Sequence, residues 1–312
     1  MKLALRELRR KPGRFAVVGG ALTLLVLLLL FLGGLLDGLF LGSTGAIRAT
    51  EADVVVFSDD ARESFLRSSI DPGVRADVAA VPGVDRVGGL GFSLLGVAIP
   101  GESELADGAV AGYELESSSL PPPPEPGQAD ADRRLRSFGA ELGDVVLVGP
   151  RAVPLEIVRW VEDTNYLLQN GLWVEPDTWR AVQNANRPDA VVADGEFQAL
   201  VVRAADGVPA SKLIDGIDTA TGTTRSLTQS DAVFAIPGIV EQNNTFNAII
   251  GVTLFVCGLV VALFFALLTL ERVGLYAVLK AIGGSNRTLL AGVVTQAVVI
   301  ALAAFAVGAL LA

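Results

Sequence analysis

Three stretches of this sequence, 15–36, 246–270 and 289–312, contain no Asp, Glu, Lys or Arg. Each is long enough for the roughly 20 helical residues that cross the hydrocarbon core of a bilayer. A charged side chain at the centre of that core costs about 3 kcal/mol, so spans of this kind exclude them. A helix buried in a soluble core rarely runs as far without one. The sequence is 51% hydrophobic, and the excess sits in these blocks. They are read as three transmembrane helices, with cytosolic and extracytoplasmic segments between them.

The basic flanks orient the spans. Lys2, Arg6, Arg9, Arg10, Lys11 and Arg14 precede the first block against Glu7 alone. Arg272, Lys280 and Arg287 lie between the second and third against Glu271. Basic flanks stay cytosolic, which places 1–14 and 271–288 inside and 37–245 outside. Subtracting those 9 basic and 2 acidic residues from totals of 24 and 34 leaves 15 and 32, a formal charge of −17 for the outer segment. Phosphate binding needs clustered Lys and Arg, so nucleic acid is excluded as a partner. A cleaved signal peptide is not expected, because the first apolar block exceeds the usual 7–15 residues of such a segment.

Histidine is absent, and the one cysteine, Cys257, lies in the second span. That removes Ser-His-Asp and Cys-His catalysis, the usual zinc sites and an intrachain disulfide. No G-x-x-x-x-G-K-[ST] and no G-x-S-x-G occurs, so neither a P-loop nor a hydrolase elbow is expected. Neither an enzyme, a metal site nor a cofactor site is expected in this chain.

Residues 1–14 read as a short amphipathic helix, with Met1, Leu5 and Leu8 on one face and Pro12-Gly13 breaking it. The outer segment alternates short strands and helices and reads as mixed α+β. Val54-Val55-Val56-Phe57 is a strand, 72–80 a helix closed by Pro82-Gly83, and 84–99 an extended run punctuated by Gly88, Gly89, Gly91 and Gly96. The prolines of 121–126 form a stiff connector between two parts of the domain. A helix is expected over 129–138, strands over 145–148 and 155–161, extended chain at 173–175, and a helix over 177–185. A strand over 197–203, a helix over 210–219 and a last strand over 233–236 complete the expectation. Asp59, Asp60, Asp130 and Asp132 read as a solvated acidic face, since the Asp130-x-Asp132 spacing lacks the rest of a calcium loop.

The inner loop carries the most informative pattern. Leu275, Val278, Leu279 and Ile282 fall at i, i+3, i+4 and i+7, which makes a short amphipathic helix. Gly283-Gly284 ends it, and Ser285 caps the helix that follows. Such a helix either lies at headgroup level or presents its face to a groove on a cytosolic partner, and the pattern alone leaves both open.

The segment Glu271-Arg272 through Leu279-Lys280-Ala281-Ile282-Gly283-Gly284-Ser285 resembles the signature of the FtsX-like/MacB-like ABC transporter permeases. Residues 3–15, from Leu3-Ala4-Leu5-Arg6 to Arg14-Phe15, are similar to that family's pre-membrane helix. Residues 138–148 with 155–158 resemble its periplasmic core domain, and the DevC-type branch is the most similar. The resemblance implies that Arg272, Leu275, Tyr276, Val278, Leu279, Lys280, Ile282 and Gly283 form a coupling helix against a cytosolic ABC ATPase subunit. ATP and Mg would be bound by that subunit. It further implies a permease dimer, an extracytoplasmic adaptor protein, a bacterial cell membrane with the N-terminus cytosolic, and force relayed from ATPase to outer domain, termed mechanotransmission. The family has four spans where this sequence, ending at Ala312, shows three, so a fourth is expected to be missing. Two other functions fit the same pattern: a relay controlling a cell-wall enzyme, and a membrane-anchored binding module without an ATPase.

Overall fold

The computed structural model describes residues 12–271, 273–281, 283 and 286–312. They fall into a sheet unit, 38–240, and a helical unit drawn from 1–37 and 241–312. Helix α1 (Pro12–Ala49) comes first. At 1.5 Å per residue its 38 residues extend about 57 Å, well beyond the roughly 30 Å of a bilayer core. Its residues from Gly38 onward belong to the sheet unit.

In chain order that unit then contains β1 (Val54–Ser58), α2 (Pro72–Ala79), β2 (Val84–Ala98), β3 (Leu105–Tyr113) and β4 (Gln128–Asp132). There follow β5 (Val145–Val148), β6 (Val153–Val161), β7 (Asn170–Val174) and α3 (Pro176–Asn186). It closes with β8 (Ala199–Ala204), α4 (Ala210–Thr221), β9 (Thr224–Thr228) and α5 (Gln229–Phe234).

Two sheets share one strand. The order β9-β1-β8-β2, all antiparallel, with α2 after β1 and α4 after β8, is the split βαβ arrangement of ferredoxin-like folds. The hairpin that would join β2 to β8 is replaced by residues 99–198. Here β2 runs on past β8 to pair with β3 and β5, and the ring β2-β3-β7-β4-β6-β5 closes on itself. Closure leaves those six strands without a free edge.

Side-chain alternation explains the cores. Val54 and Val56 pack with Val78, Leu213 and Ile217 under the two helices. Val55 and Phe57 face the other way, toward Ile47, Phe65 and Val233. A strand buried on both faces needs an unbroken apolar run, and Val54-Val55-Val56-Phe57 is one. In the ring, Val97, Val110, Val146, Val148, Leu155, Ile157 and Leu172 fill the interior. The β2 glycines clear space for large side chains: a Cβ at Gly89 would enter the Phe197 ring, and at Gly91 the Trp179 ring. Those two rings stack nearly parallel at 6.1 Å. Asp71 caps α2, accepting from the backbone N–H groups of Gly73 (2.7 Å) and Val74 (3.0 Å) ahead of Pro72 at the first helical position.

Four expectations are corrected. Residues 129–138 are not one helix: 128–132 is strand β4, and only Arg133–Phe138 turns, as a 3-10 helix. Pairing with β6 and β7 outweighs the helix preference of Ala129 and Ala131. Residues 233–236 are not the last strand. Thr228 caps α5 by accepting from the Asp231 N–H (3.1 Å), and Val233 and Ile236 are buried three residues apart. The last strand is β9, whose inward Thr224 and Ser226 hide it from a hydropathy reading. The proline run joins β3 to β4, both in the ring, rather than two parts of the domain. It is pinned there by the Tyr113 hydroxyl donating to the Pro121 carbonyl and by Arg159 donating to that of Pro122, both 2.7 Å. Finally, Asp59 and Asp60 are exposed but Asp130 and Asp132 are buried.

The helical unit adds α6 (Ile239–Glu271), α7 (Val273–Ala281) and α8 (Asn286–Leu311). Three of its helices are long and apolar enough to cross a membrane. Leu22 of α1, Phe265 and Leu268 of α6, and Ile300 and Ala304 of α8 form a common cluster. Gly308 of α8 lies against Val26 of α1, where a Cβ would come within 2.9 Å of the valine methyl. Close approach through small residues is how helices associate without a hydrophobic driving force.

Candidate coupling site

Two places in the chain have unusual local geometry. The first is α7. Between the long helices α6 and α8 the chain forms a separate nine-residue helix. Gly283 follows with φ +93°, and its N–H donates to the Lys280 carbonyl at 3.1 Å. A glycine in the left-handed region is the usual end of a helix, because a Cβ would clash there. Val273 and Val278 are 56% and 60% exposed, and Lys280 is exposed beside them. Leu275, Tyr276 and Leu279 have helical backbone, and their side chains lie outside the described set. Arg272, Ile282, Gly284, Ser285 and the amphipathic segment before Pro12 also lie outside the described residues.

The second place is the end of α1, where residues 163–168 wrap the helix. The Ala46 N–H donates to the Asn165 carbonyl (2.9 Å), Leu167 N–H to Ser43 O (3.0 Å) and Leu168 N–H to Gly42 O (3.1 Å). These are backbone bonds between a helix and a loop, and they need the two chains almost in van der Waals contact. Gly45 permits this: a Cβ there would be driven into the Asp163 carbonyl. The loop holds three non-glycine residues at positive φ, Asp163 (54°), Leu167 (52°) and Leu168 (66°). Such conformations persist only where the surroundings over-determine them.

Here the surroundings are Asp132 and Gln229. The Asp132 carboxylate accepts from the Thr164 N–H and hydroxyl, both 2.9 Å, and from the Arg134 N–H at 3.0 Å. Gln229 Nε2 donates to the carbonyls of Ile47 (3.0 Å) and Arg48 (3.1 Å), which also accept from the N–H groups of Thr50 and Glu51, both 3.2 Å. Ser43, Thr44, Ala46, Ile47 and Ala49 are buried. The sheet unit thus grips the last turns of α1 by backbone.

Asp130, one strand position pair from Asp132, serves elsewhere. Its carboxylate takes a forked pair of bonds from Arg159, 2.7 Å from Nε and 2.9 Å from Nη2. Burial lifts this carboxyl above its ordinary range, opposed by the Arg159 bonds and charge. Burial first, and then the Asp130 charge, push the Tyr113 hydroxyl up as well. Both carboxylates are held by protein donors, which is why neither faces solvent.

None of the α1 grip was read from sequence. Gly42 and Gly45, three residues apart beyond the first apolar block, carried the one available signal, since paired small residues mark close approach of two backbones.

Residues 247–312, which include α7, α8 and most of α6, match the family model for the FtsX-like permease C-terminal region. Along its length the chain is 27% identical over 321 residues to uncharacterized ABC transporter permeases of two Mycobacterium tuberculosis strains, CDC 1551 and H37Rv. The alignment covers 99% of this chain and 84% of each relative. The chain thus carries an FtsX-like permease C-terminal region and is similar along its length to ABC transporter permeases. Among solved structures, this permease is similar to the periplasmic region of MacB from Actinobacillus actinomycetemcomitans, at 14% identity and TM-score 0.40 over 59% of this chain and 92% of that one. It is also similar to the extracellular domain of the ABC-type transporter YknZ from Gram-positive bacteria, at 11% identity and TM-score 0.40 over 56% and 99%. Three membrane-length helices and this likeness to ABC permeases indicate a membrane protein, and the permease family implies a separate ATPase subunit.

Proposed function

We propose that this permease couples the cycle of a cytosolic ABC ATPase to its own sheet unit on the far side of the cell membrane, and that α7 is the contact. One observation carries the reading: within the matched C-terminal region, α7 is a distinct short helix between two membrane-length helices, and its described apolar side chains are exposed. Exposed Val273 and Val278 have no reason to face water unless a groove or headgroups cover them. The basic residues Arg272, Lys280 and Arg287 hold this loop on the cytosolic side, as those before α1 hold the N-terminus.

ATP and Mg act in the partner subunit. When two ATPases close, the α7 helices of two permease subunits move with them, and the spans carry the displacement across. It reaches the sheet unit along α1, whose last turns are bonded to residues 163–168. The outer domains then shift relative to one another and act on substrate, or on an adaptor protein, outside the membrane. The three apolar blocks hold no Asp, Glu, Lys, Arg or His to mark a polar path through them, which suits a device that transmits force.

Replacing Leu275 and Leu279 with Asp tests the contact. The double variant is expected to insert into the membrane normally and to lose co-purification of the ATPase. ATPase recruitment equal to that of the parent chain counts against α7 as the coupling element.

A further inference from the structure

A second apolar surface lies on the outside of the closed ring. Leu105 of β3 is 67% exposed, Leu147 of β5 42% and Val145 of β5 48%. Strand register joins them: Leu105 is opposite Ala98, Ala98 opposite Leu147, and Leu147 opposite Pro154. Directly opposed residues share a face of the sheet. Their chain neighbours Ala106, Val97, Val148 and Leu155 are buried in the ring interior, so this row faces out. It runs unbroken over four strands, a distance of about 15 Å at the usual strand spacing. Leu105 lies down along bare Gly96, where a Cβ would sit 3.2 Å from its methyl.

The rim of this stripe is predominantly acidic. Glu102, Glu104, Asp107 and Glu156 border it, and all four are exposed. Among the described residues of these strands and turns, Arg151 in the β5–β6 turn is the nearby cation. The segment 37–245 carries 15 basic and 32 acidic residues, a net −17. A second copy of this chain would bring an identical acidic rim against the first, and like charges face to face disfavour that contact. Anionic lipid is disfavoured for the same reason. An apolar centre with an acidic border fits a surface with an apolar centre and a basic border, the core-and-rim form of protein interfaces.

We propose that the Leu105–Ala98–Leu147–Pro154 stripe docks a separate protein whose contact surface is apolar at its centre and rich in Lys and Arg around it. The proposal stands on the ring alone and does not depend on α7. It is tested on the full chain in nanodiscs of zwitterionic lipid, with two synthetic peptides that share one apolar centre, flanked in one by lysines and in the other by glutamates. The lysine-flanked peptide is expected to bind, more weakly as salt rises, and the glutamate-flanked peptide not to bind. L105D/L147D should weaken the lysine-flanked peptide at least tenfold, although it adds two negative charges. Because both leucines are exposed, the variant should keep the parent's near-ultraviolet spectrum. A second variant, D107K/E156K, should reverse the preference between the peptides. Binding by L105D/L147D as tight as the parent's, or no binding of either peptide, overturns the proposal. So does a disulfide between two copies through Leu147→Cys in a Cys257→Ser background, which would make the stripe a self-contact.

Discussion

At Gly45 a helix and a loop come close enough to share backbone hydrogen bonds, and the missing side chain is what lets them. Every L residue would place a Cβ against the Asp163 carbonyl, so the strained turn at Asp163, Leu167 and Leu168 and the end of α1 hold each other in place. Gly45→Val should cost about 1–3 kcal/mol, the usual penalty of forcing extra carbons into a filled space. The loss is local: amide exchange at Ala46, Leu167 and Leu168 should speed up at least tenfold while the β1 and β8 amides stay protected. Unchanged exchange at those three amides would show that the grip does not depend on this glycine. At this scale the sequence was legible where one residue acts on its neighbours. Pro82-Gly83 announced the end of α2, and Gly283 the end of α7. It was silent where the partner is distant, as with Asp132 and Thr164 or Asp130 and Arg159, and so two buried carboxylates read as surface.

Elements were legible in proportion to how local their cause is. The continuous run of β1 and the one-turn spacing of Leu213 and Ile217 in α4 are signals within a few residues. Strand β4 was not legible as a strand, because Ala and Asp carry little strand preference and its pairing lies with β6 and β7, some thirty to forty residues downstream. Helix α1 was legible as a membrane span and not as an arm of the sheet unit, because the polar residues after Leu36 read as the end of a span. They continue helical to Ala49 because the sheet unit buries them. If α1 delivers load to that unit, breaking the helix between the two should uncouple them. Gly38→Pro removes a helical hydrogen bond and clashes with the preceding turn, costing about 3 kcal/mol. The sheet unit, with its own cores, should keep the near-ultraviolet signal of Trp173 and Trp179. In a reconstituted complex with the ATPase, ATP-dependent changes in protease cleavage of the sheet unit should disappear. Their persistence in this variant would show that α1 is not the route.

For the whole molecule, the order of apolar blocks and their basic flanks conveyed a membrane protein with one large inserted domain. The closure of the six-stranded ring and its sharing of β2 with a ferredoxin-like sheet are set by pairings from Gly88 with Val201 to Ala98 with Leu147, which no local pattern reports. Every step of the proposed function requires α7 to lie in the cytosol while the sheet unit lies outside. The direct measurement is cysteine accessibility in a Cys257→Ser background, with Val278→Cys on α7 and Asp189→Cys on the sheet unit, both exposed positions. A membrane-impermeant thiol reagent added to intact cells should label position 189 and spare position 278, and inverted membrane vesicles should label position 278. Labelling of position 278 from outside intact cells would contradict the account, because a helix on that face cannot touch a cytosolic ATPase.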